Sequence, residues 1–316
     1  MEKFLKNKAL WAAGLSAVLM GMTNYYAKIF LDAVNHDAFL YLSGRYTVAF
    51  LSMLVLLWSG KYHISLKRRK GIGLLVLNGL LSPILAQSFE NIAILYAPIS
   101  QIVVIQSTAP LVVVFLSALI NRETPTRKQF LYLLLTVFGV VVIRATGGGD
   151  KGSLTGFILA VLFTFSIALS RTFVRRLTAE FSAFEIIFVS VGMGAVSFTA
   201  VSVIQNLAAG TIDTYFNFLH IPTCVFSLFY NGVISCAVGF LLATYAAGRL
   251  PIAIAQSISL LNMPVAILLG VCLLGERFSL VDVLGSVLIG VGVVASSSHY
   301  DANNEKENQY HPNGFK

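Results

Sequence analysis

PISQIVVIQSTAPLVVVFLSALI, residues 98–120, returns 153 positions later as PIAIAQSISLLNMPVAILLGVCL, residues 251–273. Pro98, Glu123 and Gly139 recur as Pro251, Glu276 and Gly292 at that one offset, and an inner proline, Pro110 and then Pro264, agrees within one residue. Each segment is an apolar run of the length needed to cross about 30 Å of hydrocarbon at 1.5 Å per residue. Apolar helices resemble one another by chance. A shared proline, glutamate and glycine at one spacing do not arise so easily, so the chain reads as two copies of one unit.

Working outward, further runs lie at 9–31, 38–59, 72–95, 128–145, 154–174, 184–207, 222–246 and 279–298, which makes ten predicted spans. Composition agrees: 57% of the 316 residues are hydrophobic, only 11% are charged, and the mean hydropathy is +0.80. Soluble domains carry about 25% charged residues, so too few charges are present to cover a globular surface. The three cysteines, Cys224, Cys236 and Cys272, lie in apolar stretches and read as buried free thiols. The first run follows Lys3, Lys6 and Lys8 but is too long for a signal peptide and carries Asn24 and Lys28, so it is expected to remain as the first helix.

The net charge of +8 would suggest nucleic acid in a soluble chain, but its distribution follows membrane topology instead. With the N-terminus inside, 17 of the 22 Lys and Arg fall in cytoplasmic segments, so both termini are expected in the cytoplasm. The expected fold is therefore an all-α integral membrane protein of ten transmembrane helices arranged as two inverted five-helix repeats, 9–145 and 153–298. A disordered cytoplasmic tail is expected at 299–316. Five is odd, so the second copy must cross in the opposite sense, which suits a carrier with two access states around a site between its halves.

Several of these residues match a known pattern. Gly21, Asn24 and Lys28 in span one, and Arg45 and Ala49 in span two, resemble motifs of EamA-type members of the drug/metabolite transporter superfamily. The stretches 97–142 and 250–295 are similar to that family's most recognisable segment. The first copy departs from it in having Asn121-Arg122-Glu123 where the second has Leu274-Gly275-Glu276. The resemblance implies a ten-helix alternating-access carrier whose central cavity is lined by the third, fourth, eighth and ninth helices and closed by the first and sixth. It also makes amino acids and related amphipathic metabolites the leading substrate class. The alternative is a proton-coupled carrier or exporter of amines, quaternary ammonium compounds or drugs.

Ionisable groups inside a bilayer are costly and are kept mostly where they face a cavity or a partner. Lys28, Arg45 and Glu90 fall at similar depth near the outer ends of spans one to three. They read either as a coupling or structural ion pair, with Lys28 free to snorkel to the headgroups, or as a site in which Glu90 binds a cationic group. Asn24, Gln87 and Asn91 accompany them, and at the shifted position Glu90 corresponds to Ala243. Spans four and nine are polar at mid-length, with Gln101, Gln106, Gln256 and Asn262 near Pro110 and Pro264. A proline frees a carbonyl upstream, so helix kinks that expose backbone to a cavity are expected there. Tyr230 and Asn231 complete the expected substrate-binding set.

Glu123 and Glu276 read as helix-start chemistry, and Arg171 as part of a positive-inside cluster. No catalytic motif, nucleotide loop or metal-ligand spacing is present in the sequence, so neither an enzyme nor a cofactor is expected. A channel and an intramembrane enzyme stand as alternatives of a different class. The expected partners are a small-molecule substrate, the lipid bilayer and protons as coupling ion, but not nucleic acid, with the chain a monomer or homodimer. The expected location is a plasma or bacterial inner membrane.

Overall fold

In the computed structural model the described residues are 2–60, 62, 64, 71–121, 131, 138, 152–250, 255, 258–277, 279–280, 283–288 and 291. Among them the chain is helical, with no strand. The helices are α1 (Glu2–Gly21), α2 (Thr23–Ala33), α3 (Ala38–Trp58), α4 (Ile72–Gly79), α5 (Gln87–Tyr96), α6 (Ile99–Gln106) and α7 (Ala109–Asn121). They continue as α8 (Leu154–Glu180), α9 (Ala183–Ala208), α10 (Pro222–Phe229), α11 (Phe240–Ala247) and α12 (Asn262–Leu274). A π-helical segment, Leu80–Ala86, joins α4 to α5, and another, Tyr230–Gly239, joins α10 to α11.

Among the described residues, five continuous helices are long and apolar enough to cross a membrane: Ala38–Trp58, Ile72–Tyr96, Leu154–Glu180, Ala183–Ala208 and Pro222–Ala247. All of the expected span 128–145 except residues 131 and 138, and most of 279–298, fall outside the described residues. The run at 9–31 is not one helix but α1 and α2, separated at Met22. Gly21 explains the closeness there: a Cβ on it would stand 2.8 Å from both the Asn262 carbonyl oxygen and Val265 Cβ, so α12 presses directly on the α1 backbone.

Local chemistry sets the helix starts. Asp37 accepts the Leu40 N–H at 2.9 Å and Ser153 accepts that of Gly156 at 3.1 Å. Ser182 and Glu185 form a reciprocal capping box at the start of α9, at 3.2 and 2.8 Å. Glu185 therefore serves a helix start. Pro83 lies inside the first π-helical segment and supplies no N–H, so the α-helical ladder cannot close there.

Cross-contacts divide the bundle into two faces. Ala9, Ala246 and Leu250 cluster on one; Leu75, Leu177 and Phe181 also pack together toward it. On the other, the Ser153 N–H donates to the Tyr96 carbonyl at 2.8 Å, and Phe30 meets Phe218. The α3–α9 pair forms the centre, running antiparallel, with Ser43 beside Thr199, Tyr46 against Phe198 and Phe50 against Phe188. Large apolar side chains such as Trp11, Leu51, Trp58, Val196 and Leu284 cover the outside. Cys224 and Cys236 are buried, but Cys272 is exposed, contrary to the reading of all three as buried: an apolar span leaves one face of each outer helix toward lipid.

Where α8 begins, glycine is required by contact. A Cβ on Gly156 would come within 2.8 Å of Ala97 Cβ and 3.1 Å of the Tyr96 backbone. Gly156→Ala is expected to lower stability by about 1 kcal/mol. Gly14→Ala, with nothing within 4 Å of the added methyl, is expected to be neutral or slightly stabilising. Thermal unfolding of the two variants in detergent checks the contrast. Equal midpoints would show that the α5–α8 contact is not tight.

Candidate functional site

The helix containing residues 98–120 breaks at Ser107 and Thr108 into α6 and α7, and the stretch before α12 breaks at Leu260 and Leu261. Bonds of the tighter i to i−3 type mark both breaks: Thr108 N–H to the Ile105 carbonyl at 3.1 Å, and Leu261 N–H to that of Ile258 at 3.0 Å. Pro110 is the second residue of α7 and Pro264 the third of α12. Pro264 itself is exposed, so its effect on the site is through the backbone.

The α6 break brings Gln106 toward α5, where Glu90 is 6% exposed. Gln106 Nε2 donates to Glu90 Oε1 at 2.8 Å, and Gln87 Nε2 donates to Glu90 Oε2 at 2.7 Å. Gln87 Oε1 in turn accepts from Arg45 Nη1 at 2.7 Å, with Arg45 only 1% exposed. The carboxylate and guanidinium are thus linked through an amide. A glutamine suits that position because its carbonyl faces the cation while its NH₂ faces the anion. Charge-assisted hydrogen bonds offset part of the cost of burying each charge, two at Glu90 and one at Arg45, whose Nε has no hydrogen-bond partner among the described residues.

Asn24, Arg45, Gln87, Glu90, Gln106, Arg171 and Asn262 line a cavity with about 720 Å³ of empty space. Next to it lies a larger cavity, with about 1210 Å³ of empty space when the open solvent at its mouth is included, reaching toward the face where α1 begins. Met20, Ile167, Arg171, Phe240, Ser259 and Asn262 belong to both linings.

Other residues expected at the site lie elsewhere. Lys28 pairs with Asp32 at 3.1 Å, one turn on along α2, with both side chains partly exposed. It does not join Arg45 and Glu90, because the i, i+4 partner on its own helix is nearer. Asn91 is buried and donates to the Gln87 carbonyl at 2.9 Å, bracing α5 without lining either cavity. Gln101 accepts the Gly152 N–H at 3.3 Å near the opposite face. Tyr230 donates to the Leu19 carbonyl at 3.0 Å and packs on Tyr26 with ring centroids 4.4 Å apart. Asn231, fully buried, donates to the Thr23 carbonyl at 3.4 Å. Both serve the contact between α1–α2 and the second π-helical segment. Gln256 lies outside the described residues.

Cavity residues absent from the expected set include Arg171, which lines both cavities and so is more than a member of a positive-inside cluster, and the group Asn78, Ser170 and Ser190. Asn78 Oδ1 accepts from Ser170 at 2.7 Å, Asn78 Nδ2 donates to Ser190 at 3.5 Å, and all three line the larger cavity. The sequence signal for Asn78 is an amide side chain inside the apolar run 72–95, where a polar group needs a partner or a cavity. Glu276, two residues beyond the end of α12, reaches across the bundle. Its Oε1 accepts the Ile99 N–H at 2.7 Å and its Oε2 the Ser100 N–H at 2.9 Å, so it caps α6 across the bundle.

A family model described as the EamA-like transporter family matches this chain twice, over residues 7–145 and 154–298. A protein of Bacillus subtilis (strain 168) named "Uncharacterized transporter YcxC" is 30% identical over 299 residues, 94% of this chain and 95% of that protein. An Acidianus ambivalens protein named "Uncharacterized transporter in sor 3'region" is 31% identical over 137 residues, 43% of this chain and 53% of that one. A solved crystal structure aligns with a TM-score of 0.59 at 17% identity, covering 92% of this chain and 96% of that chain, a likeness of fold alone. With apolar helices long enough to span, two matches to one transporter family and a nearly full-length transporter relative, the chain is a multi-pass integral membrane protein that belongs to the EamA-like transporter family, within the drug/metabolite transporter superfamily.

Proposed function

We propose that this transporter moves a small zwitterionic metabolite, an amino acid or a related amphipathic compound, by alternating access through a cavity between two inverted five-helix repeats of a ten-helix protein. Helix boundaries support the repeat: α7 and α12 are each 13 residues long, and Ala109 and Asn121 stand 153 positions before Asn262 and Leu274. The two π-helical segments end at Ala86 and Gly239, the same distance apart. The antiparallel course of α3 and α9 supports the inversion.

The observation that carries the substrate reading is a cavity holding both signs of charge, Glu90 with Arg45 and Arg171. A zwitterion matches it, the ammonium directed to Glu90 and the carboxylate to the guanidinium side. In the alternating-access reading, this conformer is open toward the cytoplasm, the face where the sequence concentrates Lys and Arg. Glu276 on α6, and Ser153 on Tyr96, hold the opposite face shut.

The test is counterflow of labelled amino acids in proteoliposomes, with wild type and Glu90→Gln. Glutamine keeps the shape and loses the charge, so transport is expected to fall at least tenfold while the protein remains folded. Uptake of amines but not amino acids, with the same Glu90 dependence, would replace the zwitterion by a cation. Undiminished transport in Glu90→Gln would remove Glu90 from the site.

A further inference from the structure

Exact twofold repetition would place a carboxylate on each side of the cavity. This chain breaks the symmetry there: the position 153 residues after Glu90 is Ala243, in α11. Glu90 lines the smaller cavity, whereas Ala243 lines the larger. Around Ala243 the larger cavity is walled by Ala246 and Ala247 on α11 and by Val174, Ile187 and Val191 opposite. Arg171, on the boundary with the smaller cavity, is the one charged residue among the described residues of this lining. Its polar residues are neutral, and Asn78, Ser170 and Ser190 are already engaged with one another. Glu90 and Arg45 of the first half therefore charge one cavity, Arg171 of the second half stands where the two linings meet, and α11 contributes small apolar side chains to the other cavity.

We infer that the larger cavity is a subsite for the uncharged, bulky body of the substrate, and that Ala243 and Ala247 set the size of the body admitted. This rests on the proposed function, because the charged head must sit in the smaller cavity for the body to reach α11. Lost side-chain volume makes the room: two alanines one turn apart leave the α11 backbone close to the cavity. A substrate with charges at both ends would have to place its second charge in a lining whose described residues, beyond Arg171 at the boundary, are apolar or neutral polar side chains. The preferred substrate thus has one charged end, zwitterionic or cationic, and an apolar body.

Two probe series of constant head and growing body test this with the full chain in detergent. One runs from alanine through leucine to phenylalanine; the other compares tetramethylammonium with benzyltrimethylammonium. Dissociation constants come from the ligand dependence of thermal unfolding. In at least one series the wild type is expected to bind the largest body about tenfold to a hundredfold more tightly than the smallest. Ala243→Leu is expected to weaken the largest probe at least tenfold and to change the smallest by less than about threefold. Ala247→Leu gives a second reading should Ala243→Leu not fold. Affinity that depends on Glu90 but is flat with body size overturns the body subsite and leaves the head site standing. So does an equal loss for small and large probes in both leucine variants. No binding by either series overturns both readings.

Discussion

Arg45→Met is expected to destabilise the protein by about 3–5 kcal/mol, the cost of removing one partner from a buried charged network. Methionine keeps the apolar stem and loses the donor. Gln87 Oε1, which accepts from Arg45 at 2.7 Å, would then face a thioether, and the Glu90 charge beyond it would lose its nearest compensation. The physical reason for so large an effect is the absence of water to take over: Arg45 is 1% and Glu90 6% exposed. Adding Glu90→Gln to Arg45→Met is expected to recover a substantial part of the loss, since neutralising both ends removes the stranded charge. Denaturant unfolding in detergent measures the cycle. Additive losses would show that the amide between them carries no coupling.

The second large effect is at Glu276. Its two oxygens accept the first N–H groups of α6, which have no partner within the helix. Glu276→Ala is expected to cost about 2 kcal/mol, and Glu276→Gln about half of that, because the amide keeps one acceptor oxygen. Gly270 makes the contact possible: a Cβ there would lie 2.6 Å from Glu276 Oε2. In the alternating-access reading this carboxylate also holds the outer face shut. Glu276→Ala should therefore raise the labelling rate of a cysteine introduced at Gln106 by a membrane-impermeant thiol reagent applied from outside. Unchanged labelling together with lost stability would restrict Glu276 to a structural role.

Much of this molecule is legible without coordinates. A charged fraction of 11% excludes a soluble surface, and that follows from composition alone. The recurrence of Pro98, Glu123 and Gly139 at one offset marks the doubling that the family match shows again. The helix breaks near Pro110 and Pro264 are local events, set by a missing donor and a clash within four residues, so a sequence window contains their cause. The presence of Glu90, Gln87, Gln106 and Asn24 around one cavity was also within reach, since polar groups in a span need a partner or a cavity.

What the sequence could not decide is which way each polar group turns. Many of these helices are apolar on all sides, so hydrophobic periodicity does not separate the face toward a cavity from the face toward lipid or a neighbour. Tyr230 and Asn231 look like site residues in a linear reading, yet a π-helical segment sets them against α1 and α2. Lys28 matches a motif position beside Asn24, but Asp32 is within its reach and Glu90 is engaged by glutamines. Gln87 as the bridge, Asn78 with its two serines, and Glu276 capping a helix 177 residues away are all pairings between segments distant in the chain. Sequence fixes class, repeat and kink because their causes are compositional or local. Tertiary packing alone decides which charged side chain meets which, because that depends on the rotation of each helix about its axis.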